Sequence, residues 1–275
     1  KNAAVQSCMQ LKVHFHKKGT FVYREINKRK IIIENRKPYS RSVTERINRM
    51  NLLDFIYTSM RLSGCAATRE MIEAMMNGEI FSDMSLGEHA RTLRYRQLLS
   101  EMQSMCEMRT SLSLDVIARI YCIITGEDEM KFRDRDDTTE FGYDYNPPDA
   151  AEIDIRLKVL LNWIGRDGGV YENQNALETD DLSEAPSDFI LRAAYLHNRF
   201  IEICPYKEDN AEIARAIMYY YLMYKGHGVF ALDISTEDYL EDIMIFLKSG
   251  DVTPFYKVLE CSLDEATKKL MEITA

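Results

Sequence analysis

A twelve-residue segment between two apolar helical stretches constrains the fold of this chain more than any other feature. Residues 204–215 read Cys-Pro-Tyr-Lys-Glu-Asp-Asn-Ala-Glu-Ile-Ala-Arg. Apolar residues recur at helical spacing before the segment, from Phe189 to Ile203, and after it, from Ile213 to Met223. The pattern predicts a central helix pair, 186–203 and 210–225, joined by a tight loop at 204–209.

The polar residues of this segment are suited to binding an anion at the start of the second helix. A helix N-terminus offers backbone N–H groups and the positive end of the helix dipole at one spot. Glu208 adds a carboxylate that can bind a metal ion, Asn210 adds an amide, and Arg215 adds a guanidinium one turn into the helix. This combination is typical of a site for a magnesium-bound nucleotide.

The segment resembles the active-site loop of the Fic (Fido) family, which reads His-Pro-Phe-x-Asp/Glu-Gly-Asn-Gly-Arg-x-x-Arg. Tyr206 stands conservatively for the phenylalanine, and four residues match: Pro205, Glu208, Asn210 and Arg215. The flanking residues 193–203 and 239–255 also resemble the family's helices. The resemblance covers roughly residues 45–275, and the first 45 residues lie outside it. It implies a mainly α fold, a Fic-type helical bundle.

The loop departs from the family at the residues that carry its chemistry. Cys204 stands where family enzymes have the histidine that deprotonates a target hydroxyl, which then takes AMP from ATP. A thiol with a usual pKa of about 8.5 is mostly protonated at neutral pH, so it is a poor general base. The resemblance therefore implies a protein adenylyltransferase fold that is catalytically impaired. A reactive thiolate at a helix N-terminus and residual transfer activity stay open as alternatives.

Three further replacements weaken the expected phosphate site. Asp209 and Ala211 stand for two glycines, which allow φ > 0 and a close approach of the backbone to phosphate. Glu212 stands for the first arginine, so a negative charge replaces a positive one. Two unit charges 4 Å apart interact by about 4 kcal/mol at an effective dielectric constant of 20. We expect Mg-ATP binding to be weak or absent, although Asn210 and Arg215 could still hold another anion.

A second segment resembles the family's inhibitory motif, Ser/Thr-x-x-x-Glu-Gly/Asn, whose glutamate pairs with the second loop arginine. Ser59 and Gly64 match this motif, but Ser63 replaces the glutamate. Arg215 thus lacks its expected partner, and we expect it to pair with Glu212, three residues earlier on the same helix.

Residues 127–146 form a stretch of extended character between two predicted helices. In the family a β-hairpin flap lies here and begins with a similar aromatic-arginine pair. Phe132 and Arg133 match that pair, and Lys131 precedes them. The resemblance implies a flap whose edge pairs with a protein partner. A plain surface loop is the alternative.

The remaining chain divides into a basic arm and a helical body. Residues 1–45 are rich in β-formers, notably in 11–16 and 20–34, and predict a small β-rich extension. The body, 46–275, predicts helices bounded by caps and stop signals. Their expected ranges are 43–62, 68–77, 86–108, 113–125, 149–165, 186–203, 210–225, 236–248 and 252–274.

Charge and cysteine usage limit the classes of partner. Residues 1–49 carry 13 Lys/Arg and 3 Asp/Glu, whereas the rest carry 22 and 41, so the main domain is a poor nucleic-acid binder. No apolar run reaches 18 residues, which predicts no membrane span. The 6 cysteines form no Cys-x-x-Cys pair, so we expect no zinc and a cytoplasmic location.

Three functions remain open from the sequence. The first is a Fic-fold pseudoenzyme that binds a protein partner, with a homo-oligomer as one form of partnership. The second is an active nucleotidyl- or phospho-transferase with an altered mechanism or donor. The third is a nucleic-acid-linked regulator that uses the basic arm.

Overall fold

The computed structural model describes residues 19–82, 84–135, 145–165 and 188–275. This part of the chain forms ten α-helices and contains no β-strand. The first six are α1 Gly19–Asn35, α2 Arg41–Leu62, α3 Arg69–Met76, α4 Leu86–Glu107, α5 Leu114–Thr125 and α6 Ile153–Gly165, the last preceded by a 3-10 turn at Ala150–Glu152. The others are α7 Phe189–Ile203, α8 Asn210–Tyr224, α9 Thr236–Ser249 and α10 Thr253–Ile273. The mainly helical prediction is confirmed.

The two central helices, α7 and α8, form the most extensive helix–helix contact of the fold. Almost every residue of α8 from Asn210 to Leu222 is buried, because α4, α5 and α7 all pack on it. On the other side, α7 contacts α6, α9 and α10. The loop 204–209 that joins the pair therefore starts and ends on the most rigidly packed elements of the molecule.

Local signals fix most of the helix ends. Ser113 caps α5 by accepting a hydrogen bond from the Val116 amide at 3.3 Å, and Gly126 ends that helix at φ 82°. At α9 the capping residue is Ser235, which accepts from the Asp238 amide at 3.0 Å. Each of the nine predicted helices is present, with ends that differ by at most a few residues.

The prediction of a β-rich N-terminal extension is wrong for the residues that the structure describes. Residues 19–35, with the isoleucine run 31–33, form α1, while 1–18 lie outside the described residues. The apolar residues Val22, Ile26 and Ile33 share one helix face, and that face packs on α10. β-propensity is a weak preference that such tertiary packing overrides.

Polar contacts from two arginines fix α1 on the last helix. Arg29 donates to the Thr267 hydroxyl at 3.1 Å and forms an ion pair with Asp264. Arg36 donates to the backbone oxygen of Met271 at 2.7 Å and to the Thr274 hydroxyl at 2.8 Å. Part of the basic arm is thus used to attach α1 to α10.

The predicted β-hairpin flap is not supported. Within 127–146, the described residues 127–135, 145 and 146 contain no strand, and 136–144 lie outside the described part. The physical reason is visible at Arg133, whose backbone N–H donates to the Pro205 oxygen at 2.9 Å instead of to a hairpin partner.

Within the described ranges, no helix is both long enough and apolar enough to cross a bilayer.

Two isoleucines of α1 provide a test of how this helix packs. Ile26 is completely buried, whereas Ile31 is 60% exposed. Replacement of Ile26 by Ala should lower the free energy of unfolding by about 2–4 kcal/mol, because it leaves a cavity between α1 and α10. Ile31→Ala is the control and should change stability by no more than about 0.5 kcal/mol. Urea unfolding measures both, and equal losses would contradict the packing of α1.

Candidate functional site

The loop begins with a left-handed residue at the end of α7. Cys204 has φ 48° and ψ 60°, and its N–H donates to the Phe200 oxygen at 3.1 Å. For a residue with a Cβ this conformation costs about 1–2 kcal/mol, so the surroundings must stabilise it. The thiol is fully buried and points to the Tyr206 oxygen, 3.8 Å away. Cys204 therefore faces a carbonyl of its own loop.

Asn210 closes the loop from the side of α8. Its Oδ1 accepts from the Tyr206 N–H at 2.8 Å, and its Nδ2 donates to the Tyr206 oxygen at 2.8 Å. Both polar atoms of this buried amide thus bind the backbone N–H and C=O of one residue, Tyr206, across the turn. Asn210, expected from the sequence to face a nucleotide, is used here as an internal brace.

Asp209 provides the second left-handed residue, at the N-cap of α8, with φ 63°. Aspartate tolerates this conformation better than most residues, which explains why the loop forms without the glycine. Burial raises the pKa of Asp209, and the neighbouring Glu212 carboxylate raises it further. The positive charges of Arg91 and Arg94 on α4 lower the pKa of Asp209 in part.

Glu212 lies in the interior and is bound by groups from two other helices. The Tyr95 hydroxyl donates to its Oε1, and the Ser63 hydroxyl donates to its Oε2 at 3.1 Å. Arg91 lies 3.8 Å from the same carboxylate. Burial, followed by the charge of Glu212, raises the pKa of Tyr95 well above its usual value. The tyrosine hydroxyl therefore stays protonated and serves as a donor.

Arg215 is buried with its guanidinium enclosed between α2, α8 and α9. It is 2% exposed and donates to the Ser63 hydroxyl at 2.7 Å, to the Ser59 oxygen at 3.4 Å and to the Tyr239 hydroxyl at 3.1 Å. The guanidinium carbon also lies 5.3 Å from the centre of the Tyr239 ring, a cation–π distance. The side chain predicted to bind an anion thus has both Nη atoms engaged within the protein, while its Nε is buried without a hydrogen-bond partner among the described residues.

Ser63 bridges Glu212 and Arg215, which corrects the expectation that these two residues pair directly. The Ser63 hydroxyl accepts from Arg215 and donates to Glu212, so the carboxylate and guanidinium interact through it. Ser59 and Gly64 flank this bridge, and Gly64 adopts φ 84° just beyond α2. The segment predicted from the inhibitory motif therefore does lie against Arg215, with a hydroxyl in the position expected for a carboxylate.

The buried polar network continues to a histidine on α7. His197 lies 2.8 Å from the Tyr239 hydroxyl through Nε2 and 2.7 Å from Asn198 Oδ1 through Nδ1. Its ring stacks on Phe255 at 4.3 Å between centroids. Burial, followed by the charge of Arg215, lowers the pKa of His197 to about 3. His197 is therefore neutral at physiological pH and belongs to the packed interior.

Of the three residues predicted to begin the flap, one is exposed and two contact the loop 204–209. Lys131 is exposed and pairs with Glu129 at 2.9 Å. Phe132 packs on the Tyr206 ring, 6.0 Å between centroids, and Arg133 is buried against the loop. Phe132 and Arg133 thus contact the loop itself.

The residues of the site fit a magnesium-bound triphosphate poorly. Glu208 is exposed on the loop and could act as the single carboxylate ligand that Mg²⁺ shares with phosphate. Arg215, however, is engaged inside the bundle, and Glu212 adds a buried negative charge beside the helix N-terminus. Among the described residues no group of three or more His, Cys, Asp or Glu side chains is arranged to hold a metal ion.

Four residues of the network were not anticipated from the sequence: Arg91, Tyr95, Tyr239 and, in its contact with the loop, Arg133. Each lies on an element far from the loop in sequence and reaches it only in the folded bundle. A motif in residues 204–215 carries no signal for such partners.

Comparison with solved structures identifies this architecture. A Fic domain-containing signaling protein from Bacteroides thetaiotaomicron superposes with a TM-score of 0.71 at 18% identity, over 92% of this chain and 96% of that one. Fic-1 from C. elegans gives 0.71 at 16% identity over 92% and 72% of the two chains. A Fic family protein from Desulfovibrio desulfuricans gives 0.63 at 15%, over 94% and 76%.

The fold and the position of the loop thus define a helical bundle with a tight loop, residues 204–209, between its two central helices. The chain has the Fic fold. No protein-family model matches its sequence, and no curated protein matches it either.

The neutral state of His197 predicts how stability depends on pH. The unfolded chain binds a proton near the ordinary histidine pKa of 6.5, whereas the folded protein does so only near pH 3. This stabilisation is complete above pH 6.5 and is lost as the pH falls toward 3. Below 6.5 the unfolding free energy should therefore fall by about 1.4 kcal/mol per pH unit from this residue.

Replacement of His197 by Gln should remove that slope, since glutamine does not titrate. Burial also lowers the pKa of His227 to about 3. His227→Gln should therefore reduce the pH dependence of the unfolding free energy independently of His197→Gln. Urea titrations at a series of pH values measure both effects. Unchanged slopes in the two variants would show that these histidines are not held neutral.

Proposed function

We propose that this Fic-fold protein acts by binding a protein partner, as a pseudoenzyme with little or no adenylyl transfer. The observation that carries the proposal is the sequestration of Arg215 by Ser63, Ser59 and Tyr239, with Glu212 held nearby through Ser63. The two Nη atoms of this buried guanidinium would have to break those hydrogen bonds before binding phosphate.

The state of Cys204 supports the same proposal. A general base must reach the proton that it abstracts, at about 2.6–3.2 Å. The Cys204 thiol is fully buried and points to a backbone oxygen. Transfer through this residue would need both exposure and deprotonation of the thiol.

The remaining features of the proposal concern partner and compartment. We propose that the partner binds at the exposed surface of the described part of the 127–146 segment, around Glu127, Glu129 and Lys131. Self-association is a second form that such a contact could take. A cytoplasmic location is proposed because no two of the five described cysteines form a disulfide with each other.

Labelling with ATP that carries its label at the α-phosphate tests the loss of transfer. We expect no incorporation into the protein itself or into general protein substrates. Clear labelling that disappears in a Glu208→Ala variant would favour the active transferase instead.

Restoration of the loop tests the reason for the loss. Cys204→His alone should not restore Mg-ATP binding, because Asp209, Ala211 and Glu212 still obstruct the phosphate site. The fourfold variant Cys204→His, Asp209→Gly, Ala211→Gly, Glu212→Arg should bind Mg-ATP in isothermal titration. Adding Ser63→Glu should weaken binding again, since a carboxylate there would pair with Arg215.

A matched control separates charge removal from charge gain. The same variant with Glu212→Gln in place of Glu212→Arg removes the carboxylate without adding a cation, and it should bind more weakly than the fourfold variant. Thermal melts must show that each variant is folded, because position 212 is buried. Full binding by Cys204→His alone, or none by a folded fourfold variant, would contradict this account of the loop.

A further inference from the structure

Arg133 makes an unusual set of contacts for a residue outside the loop. Its side chain is buried, and Nε donates to the Cys204 oxygen at 2.7 Å. The same guanidinium donates to the Arg135 oxygen at 2.5 Å and to the Pro148 oxygen. Its backbone N–H donates to the Pro205 oxygen at 2.9 Å. One residue thus joins three separate chain segments.

These contacts act on the strained part of the loop. Cys204 holds a left-handed conformation, and its carbonyl and the next one are both bound by Arg133. Asn210 binds the following carbonyl, that of Tyr206, at 2.8 Å. Three successive carbonyls are therefore fixed by two residues: Arg133 binds the first through its side chain and the second through its backbone N–H, and the Asn210 side chain binds the third.

We infer that Arg133 is a positioning residue that holds the loop 204–209 in the conformation from which α8 begins. The guanidinium fixes the direction of the Cys204 carbonyl, and the backbone N–H fixes that of Pro205. The inference deepens the proposed function, on which it rests for what the loop is used for. The positioning itself can be measured without any ligand.

The chemistry of the side chain explains why this residue is an arginine. A guanidinium presents five N–H donors in a rigid plane, so it can bind carbonyls in different directions at once. A lysine ammonium is a flexible point charge and cannot reproduce that fork. Arg133→Lys should therefore keep the charge but lose the contact geometry.

The Cys204 thiol is a built-in reporter of loop position, because it is fully buried in the native loop. The experiment measures the rate at which iodoacetamide labels each cysteine of the folded full chain, by mass spectrometry of its peptides. Cys261 is exposed and provides the internal reference. The variants are Arg133→Ala, Arg133→Lys and, as a matched control, Arg119→Ala, which removes a surface arginine that pairs with Glu101 at 2.9 Å.

We expect Arg133→Ala to raise Cys204 labelling relative to Cys261 by at least about tenfold, since hydrogen bonds from a charged donor are lost. Arg133→Lys should give a smaller rise, and Arg119→Ala should give none. Millimolar methylguanidinium should partly restore protection in Arg133→Ala by occupying the vacated space, but not in Arg133→Lys. A purely structural effect would not show this selective rescue.

Several outcomes would overturn the inference. Unchanged Cys204 protection in both Arg133 variants would show that the loop holds its shape without the guanidinium. An equal rise at Cys106 and Cys122, or global unfolding of both variants, would show that Arg133 stabilises the whole bundle. If Cys204 responds as expected and the protein binds no partner or ligand, the positioning role stands and the proposed function fails.

Discussion

The buried guanidinium of Arg215 is the interaction on which the arrangement of the site depends. It joins α8 to α2 through Ser63 and Ser59 and to α9 through Tyr239. A buried cation is costly unless its donors are satisfied and a counter-charge lies near, and here Glu212 supplies that charge through Ser63. Arg215, which the sequence predicts to face a ligand, is therefore tied to the packing of three helices.

The loop itself shows how a turn suited to glycine can form without one. Cys204 and Asp209 are both left-handed, and each is over-determined by its neighbours. Arg133 and Asn210 hold the carbonyls between them, while Tyr206 packs against Phe132 and lies 4.5 Å from the Tyr121 ring. The Fic fold is present here, although Cys204, Asp209, Ala211 and Glu212 differ from the loop pattern that the sequence resembles.

Local patterns predicted the helices, because apolar spacing, serine caps and stop glycines act within a few residues of the helix that they define. The same patterns located the loop between α7 and α8. They failed at α1, where an isoleucine run suggested a strand and contact with α10 decided for a helix. The tyrosine partners of Glu212 and Arg215 could not be predicted, since Tyr95 and Tyr239 lie 117 and 24 residues away and meet them only through tertiary packing.

The docking of α1 on α10 has a consequence for how the chain reaches its native state. The first described helix buries Ile26 and bonds Arg29 and Arg36 against residues more than 230 positions later. During synthesis on the ribosome, α1 emerges more than 230 residues before the part of α10 that it contacts. Its apolar face then stays open to solvent or to chaperones for that interval, so α1 is completed only after α10 has been made.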